Sequence, residues 1–398
     1  MKIAQLNCSF NGSPGTLMKL LSDKMNQKQI ENHMYYTFGT ADSELAVKYS
    51  TDTRIKFNAL KSRITGKYGF VSNRETTKLI SLLNDFQPDL VHIHTIHGHD
   101  LNTARFFHYL SEKHIPVVYT IHDTWPFTGY CPNYNWSHCM KWQDHCYGCP
   151  VYQSYSWFFD RSEENFNRKK QALLSLPSLT LVTPSYWMKS QIHNSFLHET
   201  NCEVIPNGID TTVFTPVSSD LKQRLGIENK YMILSLANAI SADKGLNDLL
   251  QLHDSFPENY ILVLVGVNEQ LKSQLPEDIL AFPRTSSKAE LAEYYSAADV
   301  MVNPTHGDNF PTVNIESLAC GTPVVTYDVG GSPEALDETA GMVVPEHDIP
   351  ALCEAVKSVT QTKDRRTAHC RAKAVQYYDK DVFTSAYLNL YQKILNGY

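Results

Sequence analysis

Long apolar runs and an excess of positive charge are both absent from this 398-residue sequence. No stretch approaches the about 18 consecutive apolar residues that a membrane-spanning helix needs. The first residues, MKIAQLNCSF, lack the charged region and long apolar stretch of a secretory signal, so we expect a cytoplasmic location. The formal net charge of −7 argues against generic nucleic-acid binding, because a surface that follows phosphates needs a surplus of Lys and Arg.

The complete glycine pattern of a dinucleotide-binding turn, GxGxxG, is missing after the first predicted strand. The sequence there is NGSPGT, residues 11–16, in which Gly12 and Gly15 would let the backbone approach an anionic ligand. Such a turn is more often an ordinary connection between a strand and a helix, so both interpretations stay open. The incomplete pattern disfavours a nicotinamide-dependent dehydrogenase.

Apolar segments rich in β-branched residues alternate with segments of helical period along the whole chain. The predicted strands are KIAQLNC, HMYYTF, DLVHIHT, PVVYTIHD, LTLVTPS and CEVIPNG in the first half, and YMILSLAN, NYILVLVG, DILAFPR, DVMVNPT, TPVVTYD and GMVVPEH in the second. This alternation is typical of parallel sheets wound with helices. We therefore predict an α/β fold of two Rossmann-like, doubly wound domains that face each other across a cleft.

The chain is longer than one hydrophobic core usually supports, which favours two domains. The segment IPNGIDTTVFTPVSSD is the best boundary, because its Pro and Gly residues interrupt the apolar period. We predict an N-terminal domain over residues 1–206 and a C-terminal domain over residues 207–380.

The most informative stretch is GDNFPTVNIESLACGTPVV, residues 307–325. It follows a predicted buried strand, and Pro311 stands near the first turn of the next helix, where its missing N–H costs nothing. The amides of residues 309–313 would form a positive helix end suited to a diphosphate. Asp308 precedes that end and Glu316 lies about one turn further in, so both carboxylates could face one cleft. The alternative is a capping Asp308 and a solvated Glu316.

The chain resembles the retaining GT-B glycosyltransferases of family 4, whose signature separates two acidic residues by seven others. The resemblance extends over nearly the whole sequence, in VTPSYWMKSQIHNSF (182–196), VIPNGIDTTVF (204–214), KGLNDLL (244–250), ELAEYYSAADVMVNPT (290–305) and ESLACGTPVVTYDVGGSPE (316–334). In this fold the last helix, here residues 381–398, commonly returns to the first domain. The stretches NALKSRITGKYGFVSNRETTKLI, HTIHGHDLN and HDTWPFTGYC resemble the subgroup that assembles bacterial capsule, exopolysaccharide or O-antigen repeat units.

The resemblance implies transfer of a sugar from a nucleotide-diphosphate donor to a saccharide, or to a lipid-diphosphate-linked saccharide. Positive groups must stabilise the leaving diphosphate, and the ammonium of Lys244 and the helix amides suit that role. Glu316 would accept hydrogen bonds from the ribose hydroxyls, and Asp308 would bind hydroxyls of the donor sugar. The full set of implied donor-binding residues is Gly12, Gly15, Asn238, Lys244, Arg284, Asn309, Phe310, Pro311, Thr312, Val313 and Glu316.

The family match also assigns residues of the N-terminal domain. His122 would face the reacting sugar, and a neutral imidazole there could bond to a hydroxyl or help to stabilise developing charge. With Lys244, Asp308 and Glu316 it completes the implied catalytic set. His97, His99 and Trp125 are predicted on the acceptor side, although a histidine at a strand end is often structural. The resemblance also implies retention of anomeric configuration, by front-face attack in which the leaving phosphate takes the proton of the acceptor.

The sequence departs from the family pattern at two positions. The first acidic residue is usually Glu, and Asp308 is shorter by one C–C bond, ~1.5 Å. Many relatives carry an arginine about five residues before the lysine, where this chain has Ala239, next to Asn238. These departures leave open a second function, that of a non-catalytic, donor-binding partner in a polysaccharide assembly complex. A nucleotide-sugar epimerase has no motif support.

A catalytic metal has little support, because the DKD triplet at 379–381 lies far from the cleft motifs, so no cofactor is expected to be required. Four of the nine cysteines nevertheless cluster in GYCPNYNWSHCMKWQDHCYGCP, at Cys131, Cys139, Cys146 and Cys149. In a reducing cytoplasm, four thiolates would suit a structural, tetrahedral Zn²⁺. Free thiols and disulfides are the alternatives.

A basic stretch runs from Arg54 to Arg74 without an acidic residue, in a protein that is acidic as a whole. Phe57, Leu60 and Ile64 are among the apolar residues interleaved with its charges. Such a segment could rest on an anionic membrane surface or bind a lipid diphosphate, which predicts peripheral contact with the inner face of the plasma membrane. The alternative is a solvated basic face.

Overall fold

The computed structural model describes residues 1–237 and 239–397. Within them the chain divides into two compact units: unit 1 comprises Met1–Pro206 and the residues from Thr384 onward, and unit 2 comprises Asn207–Phe383. Each unit is built on its own parallel sheet. The predicted α/β class of two Rossmann-like domains is therefore confirmed. None of the helices in these described ranges combines the length and the apolar character that crossing a bilayer requires.

Unit 1 has a seven-stranded sheet in the described residues, with strand order β3-β2-β1-β4-β5-β6-β7. The strands are β1 (Lys2–Leu6), β2 (Glu31–Tyr36), β3 (Ala46–Lys48), β4 (Leu90–Ile93), β5 (Val117–Thr120), β6 (Leu179–Thr183) and β7 (Asn201–Val204). The helices between them are α1 (Ser13–Gln27), α2 (Asp52–Thr65), α3 (Asn73–Phe86), α4 (Thr103–Glu112), α5 (Ser162–Leu174) and α6 (Tyr186–His193).

Unit 2 has a sheet of order β10-β9-β8-β11-β12-β13. The strands are β8 (Tyr231–Leu236), β9 (Tyr260–Val265), β10 (Leu280–Phe282), β11 (Val300–Asn303), β12 (Val324–Tyr327) and β13 (Gly341–Val344). The helices are α7 (Leu221–Arg224), α8 (Leu246–Asp254), α9 (Glu269–Lys272), α10 (Lys288–Ala297), α11 (Thr312–Ala319), α12 (Ile349–Gln361), α13 (Lys363–Tyr378) and α14 (Lys380–Asn396), the last of which passes into unit 1.

The continuous apolar character of the strands follows from burial on both faces of each sheet. On β8, successive side chains point to opposite faces, so Met232 and Leu234 enter one buried cluster while Ile233 enters another. Helix α3 shows the complementary pattern, because its buried apolar residues Leu79, Leu83 and Phe86 recur at helical spacing. Local sequence pattern and tertiary burial therefore agree.

The strand order places the functional loops. In unit 1 the order reverses between β1 and β4, and in unit 2 it reverses between β8 and β11. In open parallel sheets the crevice at such a reversal, beyond the carboxyl ends of the strands, is where ligands bind. The loops that leave these strands carry most of the predicted site residues.

Helix α14 contributes two buried tyrosines to unit 1. The hydroxyl of Tyr387 lies 2.7 Å from Oγ1 of Thr120, and the hydroxyl of Tyr391 lies 2.6 Å from Nδ1 of His92. Both tyrosines are fully buried, so each hydroxyl needs such a partner. These bonds attach the C-terminal helix to the centre of the unit 1 sheet.

Candidate functional site

The candidate site of unit 2 begins with an ion pair between two loops. Nζ of Lys244, after β8, lies 3.0 Å from Oδ2 of Asp308, after β11. The two side chains are 34% and 27% exposed, so each can still reach a ligand. The structure thus brings together two residues that the sequence predicted separately, and it places them at the reversal of strand order.

Two glycines bring the backbones of the loops around the ion pair into contact, Gly245 after β8 and Gly330 after β12. At Gly245, φ is +79° and an added Cβ would lie 2.1 Å from the carbonyl oxygen of Pro304. At Gly330, φ is +61° and a Cβ would lie 2.1 Å from the carbonyl oxygen of Asp308, which also accepts a hydrogen bond from the Gly331 amide at 2.9 Å. A side chain at either glycine would push the loops apart, so the position of the ion pair is fixed by backbone packing.

The start of α11 differs in detail from the expectation. Pro311 is the N-cap residue, and no side chain caps the helix. The Phe310 amide already donates to Oδ1 of Asp308 at 3.3 Å, and the Phe310 carbonyl accepts from Nδ2 of Asn207 at 3.1 Å. The Phe310 side chain is buried against Tyr378. The Phe310 side chain is therefore part of the packing, and donor contacts of the backbone at Phe310 and Pro311 stay predictions. The amides that the helix start offers to an anion are those of Thr312 and Val313. Asn309 is half-buried in the preceding loop.

Glu316 occupies an unusual electrostatic environment. Burial raises the pKa of its carboxyl to about 7, although the Tyr295 hydroxyl and Lys288 act in the opposite direction. Tyr295 donates a hydrogen bond to Oε2 of Glu316 at 2.9 Å and is itself fully buried. The carboxyl therefore titrates near neutrality, and Oε1 is the oxygen left for a further donor.

Two other predicted donor residues stay predictions. Arg284 is exposed in the loop after β10. Asn238 lies outside the residues that the structure describes.

The glycine turn of unit 1 has two different parts. Gly12 is exposed with φ +87°, and an added Cβ there would meet no atom within 4 Å. Gly15 is buried, and its Cβ would lie 2.2 Å from the carbonyl oxygen of Phe10. Gly15 is therefore needed for the close packing of α1 on the preceding loop, whereas Gly12 leaves open space for a ligand.

Histidines line the carboxyl ends of β4 and β5. Nε2 of His122 lies 3.2 Å from Nδ1 of His94, and the two rings stack with centroids 5.5 Å apart. The His94 ring in turn contacts the His92 ring in a tilted arrangement, with centroids 4.1 Å apart, and a hydrogen bond to Tyr391 of α14 holds His92. Burial lowers the pKa of His122 to about 4, so its imidazole is neutral at physiological pH.

A second group surrounds His97. Nε2 of His97 lies 2.8 Å from Oδ2 of Asp123, and Nδ1 lies 3.2 Å from the Tyr68 hydroxyl. Burial lowers the pKa of His97, but the carboxylates of Asp123 and Asp100 raise it, so the net pKa is raised. For His99, burial and the nearby His97 lower the pKa to about 4. His97 and His99 are both half-buried at this edge.

Trp125 departs from the prediction of an acceptor-side contact. Its side chain is 1% exposed and packs against Tyr68 and His97, with Nζ of Lys169 4.0 Å from its ring centroid. Trp125 therefore packs against His97, and almost none of its own side chain is accessible to a ligand. Asp123, which sequence reasoning did not single out, is the charged partner in this group; the HD dipeptide that ends the predicted strand was the available signal.

The four cysteines of the predicted zinc site lie around one pocket, but not in the arrangement of a metal centre. Cys131, Cys139, Cys146 and Cys149 are free and line a common pocket, with Sγ of Cys146 accepting a hydrogen bond from the Gly129 amide at 3.2 Å. Among the described residues, the group of potential ligands whose atoms come within 4.8 Å of one another lies elsewhere, in unit 2. The thiols share a site without the closed tetrahedral arrangement of a zinc centre, and bound zinc stays a prediction.

Comparisons with known proteins agree with this geometry. The model of the family described as Glycosyltransferase Family 4 matches residues 15–213, half of the chain, and that of Glycosyl transferases group 1 matches residues 217–375. A D-inositol 3-phosphate glycosyltransferase of Xylanimonas cellulosilytica is 32% identical over 47% of this chain and 50% of its own. The chain thus spans about half the length of that curated relative.

Two further proteins align along nearly their whole length. The protein named for colanic acid biosynthesis, glycosyl transferase WcaC of Escherichia coli K12, is 22% identical over 99% of this chain and 100% of its own. The crystal structure of Anabaena HepE in complex with UDP-glucose aligns with 98% of this chain and 99% of its own at 16% identity and a TM-score of 0.68. The fold is that of the GT-B glycosyltransferases. The chain belongs to glycosyltransferase family 4.

Proposed function

We propose that this glycosyltransferase moves a sugar, with retention of anomeric configuration, from a nucleotide-diphosphate donor to a saccharide in the assembly of a bacterial surface polysaccharide such as capsule or O-antigen. The observation that carries the proposal is the Lys244–Asp308 pair beside the start of α11. The full-length similarity to WcaC supports the polysaccharide, and the UDP-glucose complex of HepE supports the donor class.

In this proposal unit 2 holds the donor. The ammonium of Lys244 and the amides of Thr312 and Val313 neutralise the diphosphate, because negative charge accumulates there as the glycosidic bond breaks. Asp308 positions Lys244 and accepts hydrogen bonds from hydroxyls of the donor sugar. Glu316 binds the ribose hydroxyls through Oε1, since Tyr295 occupies the other oxygen.

The acceptor hydroxyl attacks the anomeric carbon on the face that the diphosphate leaves. The bond from carbon to the diphosphate oxygen breaks, and the proton of the acceptor passes to a leaving phosphate oxygen, so no metal or protein base is required in the proposed step. His122 acts as a neutral hydrogen-bonding group toward a sugar hydroxyl, since burial lowers its pKa to about 4. The hydrogen-bonded His97 and Asp123 serve the acceptor side.

A panel of nucleotide sugars tests this function. We expect one donor to raise the melting temperature of the purified chain, because a ligand that binds only the folded state stabilises it. The same donor should release free nucleoside diphosphate when a saccharide acceptor is added. Stabilisation without turnover on any acceptor would support the non-catalytic donor-binding partner instead, and a flat panel would contradict both.

We also propose that unit 1 rests on an anionic membrane, where a lipid-linked acceptor would be presented to a cytoplasmic enzyme. The residues concerned form an aromatic and aliphatic surface whose side chains are 42–63% exposed: Phe57, Leu60, Ile64, Trp157, Phe158 and Phe159. The Trp157 amide donates to the Arg63 carbonyl at 2.8 Å, which joins the loop to α2. Lys56 and Lys61 are exposed on the same helix. By contrast, Tyr68 and Phe70 of the basic stretch are buried.

Neutralising Lys56 and Lys61 tests the membrane contact. Each lysine near an anionic surface contributes about 1 kcal/mol, so K56Q/K61Q should bind phosphatidylglycerol vesicles about 30-fold more weakly at low salt. A W157S/F158S variant should lose binding at every salt concentration, because it removes apolar insertion. Tyr186→Ser, which alters an exposed aromatic residue on α6, is the control. Equal vesicle binding by all variants in co-sedimentation would contradict the proposal.

A further inference from the structure

A cluster of two histidines and an aspartate lies beside the Lys244–Asp308 pair. Asp248 on α8, His306 in the loop after β11 and His347 after β13 each offer one ligand atom, and these atoms lie within 4.8 Å of one another. Oδ2 of Asp248 lies 3.2 Å from Nδ1 of His347 and 3.6 Å from Nε2 of His306. Imidazole nitrogens with one carboxylate are a donor set typical of Zn²⁺ sites.

The partners of these ligands are those of a metal site. Nδ1 of His306 lies 2.8 Å from Oε1 of Glu346, which leaves Nε2 to face Asp248. A ligating histidine commonly donates its other ring N–H to a carboxylate in this way. The Tyr327 hydroxyl donates to Oδ2 of Asp248 at 2.7 Å, so the aspartate is oriented as well. Asp248 is buried, whereas His306 is half-buried and His347 is exposed.

The backbone also fixes the cluster. His347 has a φ of +61°, a left-handed conformation that few non-glycine residues adopt. The His306 amide donates to the carbonyl of Asp243 at 3.1 Å, which ties the loop after β11 to the segment next to Lys244. The three ligands therefore come from segments already in contact, and binding would require little rearrangement.

We propose that Asp248, His306 and His347 bind a divalent transition metal ion of the Zn²⁺ type, with Glu346 and Tyr327 as supporting partners. His306 is two residues from Asp308, and Asp248 is four residues from Lys244. The bound ion links these two segments and holds the loops that carry the ion pair. The metal has a structural role and takes no part in sugar transfer, so the proposal stands apart from the proposed function.

Metal titration of the full chain, stripped of metals with a chelator, tests the site. We expect calorimetry to show Zn²⁺ binding that H306Q and H347Q abolish and that E346Q weakens about 10- to 100-fold. H253Q is the matched control, because His253 also lies between two carboxylates of unit 2, Asp254 and Asp278, outside the cluster. Binding unchanged in H306Q and H347Q would overturn the proposal.

The cysteine pocket could also bind Zn²⁺, so Co²⁺ serves as a second probe on the unmodified chain. Histidine and carboxylate ligands should give visible absorption bands without the near-ultraviolet charge-transfer bands of thiolates. We expect this nitrogen and oxygen spectrum, alone or added to a thiolate spectrum. A purely thiolate spectrum, or no binding at all, would refute the metal site. The spectrum needs no variant, so it is decisive even where H306Q fails to fold.

Discussion

Replacing Lys244 with methionine is expected to lower kcat for sugar transfer by about 10²–10³-fold, the range seen when one group that stabilises developing negative charge is removed. Stability should change little, because ion pairs between partly exposed side chains contribute at most about 1 kcal/mol. The expected signature is therefore a folded chain with the same melting temperature as wild type and almost no release of nucleoside diphosphate.

The matched control for this variant is Lys357→Met. Lys357 is also in unit 2, is 40% exposed and lies 3.2 Å from a carboxylate oxygen, that of Glu354, but it is far along the chain from the loops of the site. It should retain wild-type transfer. If K244M transfers sugar within about threefold of wild type, the diphosphate is neutralised elsewhere and the proposed donor site is wrong.

Most of the fold could be predicted from the sequence, because each buried parallel strand corresponds to a short apolar run that is visible in the local sequence. Each of the twelve predicted runs overlaps a strand of the structure. Strand β3 was not predicted, since its three residues, Ala46–Lys48, are all half-buried at the sheet edge and are too few to show a period. Edge strands depend on a neighbour more than on their own composition.

Only those residues of the candidate site that lie in recognisable sequence motifs could be predicted. Lys244 and Asp308 lie on recognisable segments, and the structure brings them into contact although 64 residues separate them. The burial of Trp125, the packing role of Gly15 and the Tyr295 partner of Glu316 depend on long-range packing that no local pattern encodes. His306 directly precedes the stretch at 307–325, yet its partners come from α8 and from the loop after β13, so the cluster was missed.

The last prediction concerns Glu316, whose carboxyl opposes folding when it is ionised. Its pKa is about 7 in the folded chain against an ordinary value of 4.5, so the folded state retains a proton that the unfolded state loses between these values. The stability that this group contributes is complete below about pH 4.5 and is lost as the pH rises through 7. Glutamine at this position carries no charge and avoids the loss.

Glu316→Gln should therefore be more stable than wild type above pH 7, by about 1–3 kcal/mol relative to the difference between the two proteins at pH 4.5. In scanning calorimetry the melting temperatures of the two proteins should diverge as the pH rises. Glu277→Gln, an exposed carboxylate of the same unit, should show no such divergence. If the melting temperatures of E316Q and wild type instead change in parallel with pH, Glu316 is already well solvated.

The same substitution should weaken donor binding while it stabilises the fold. A carboxylate accepts hydrogen bonds from ribose hydroxyls more strongly than an amide does, so the affinity for nucleoside diphosphate at pH 8 should fall about 10-fold in E316Q. Between pH 5 and 8 the wild-type affinity should rise more steeply than that of E316Q, because Glu316 ionises in addition to the terminal phosphate of the nucleotide, whose second pKa is about 6. An ionised Glu316 would thus destabilise the ligand-free protein and strengthen its binding of the nucleotide. Residues that improve function at a cost in folding stability are expected at binding sites. If E316Q is stabilised but binds the nucleotide as tightly as wild type, Glu316 is a strained structural residue and the ribose contact lies elsewhere.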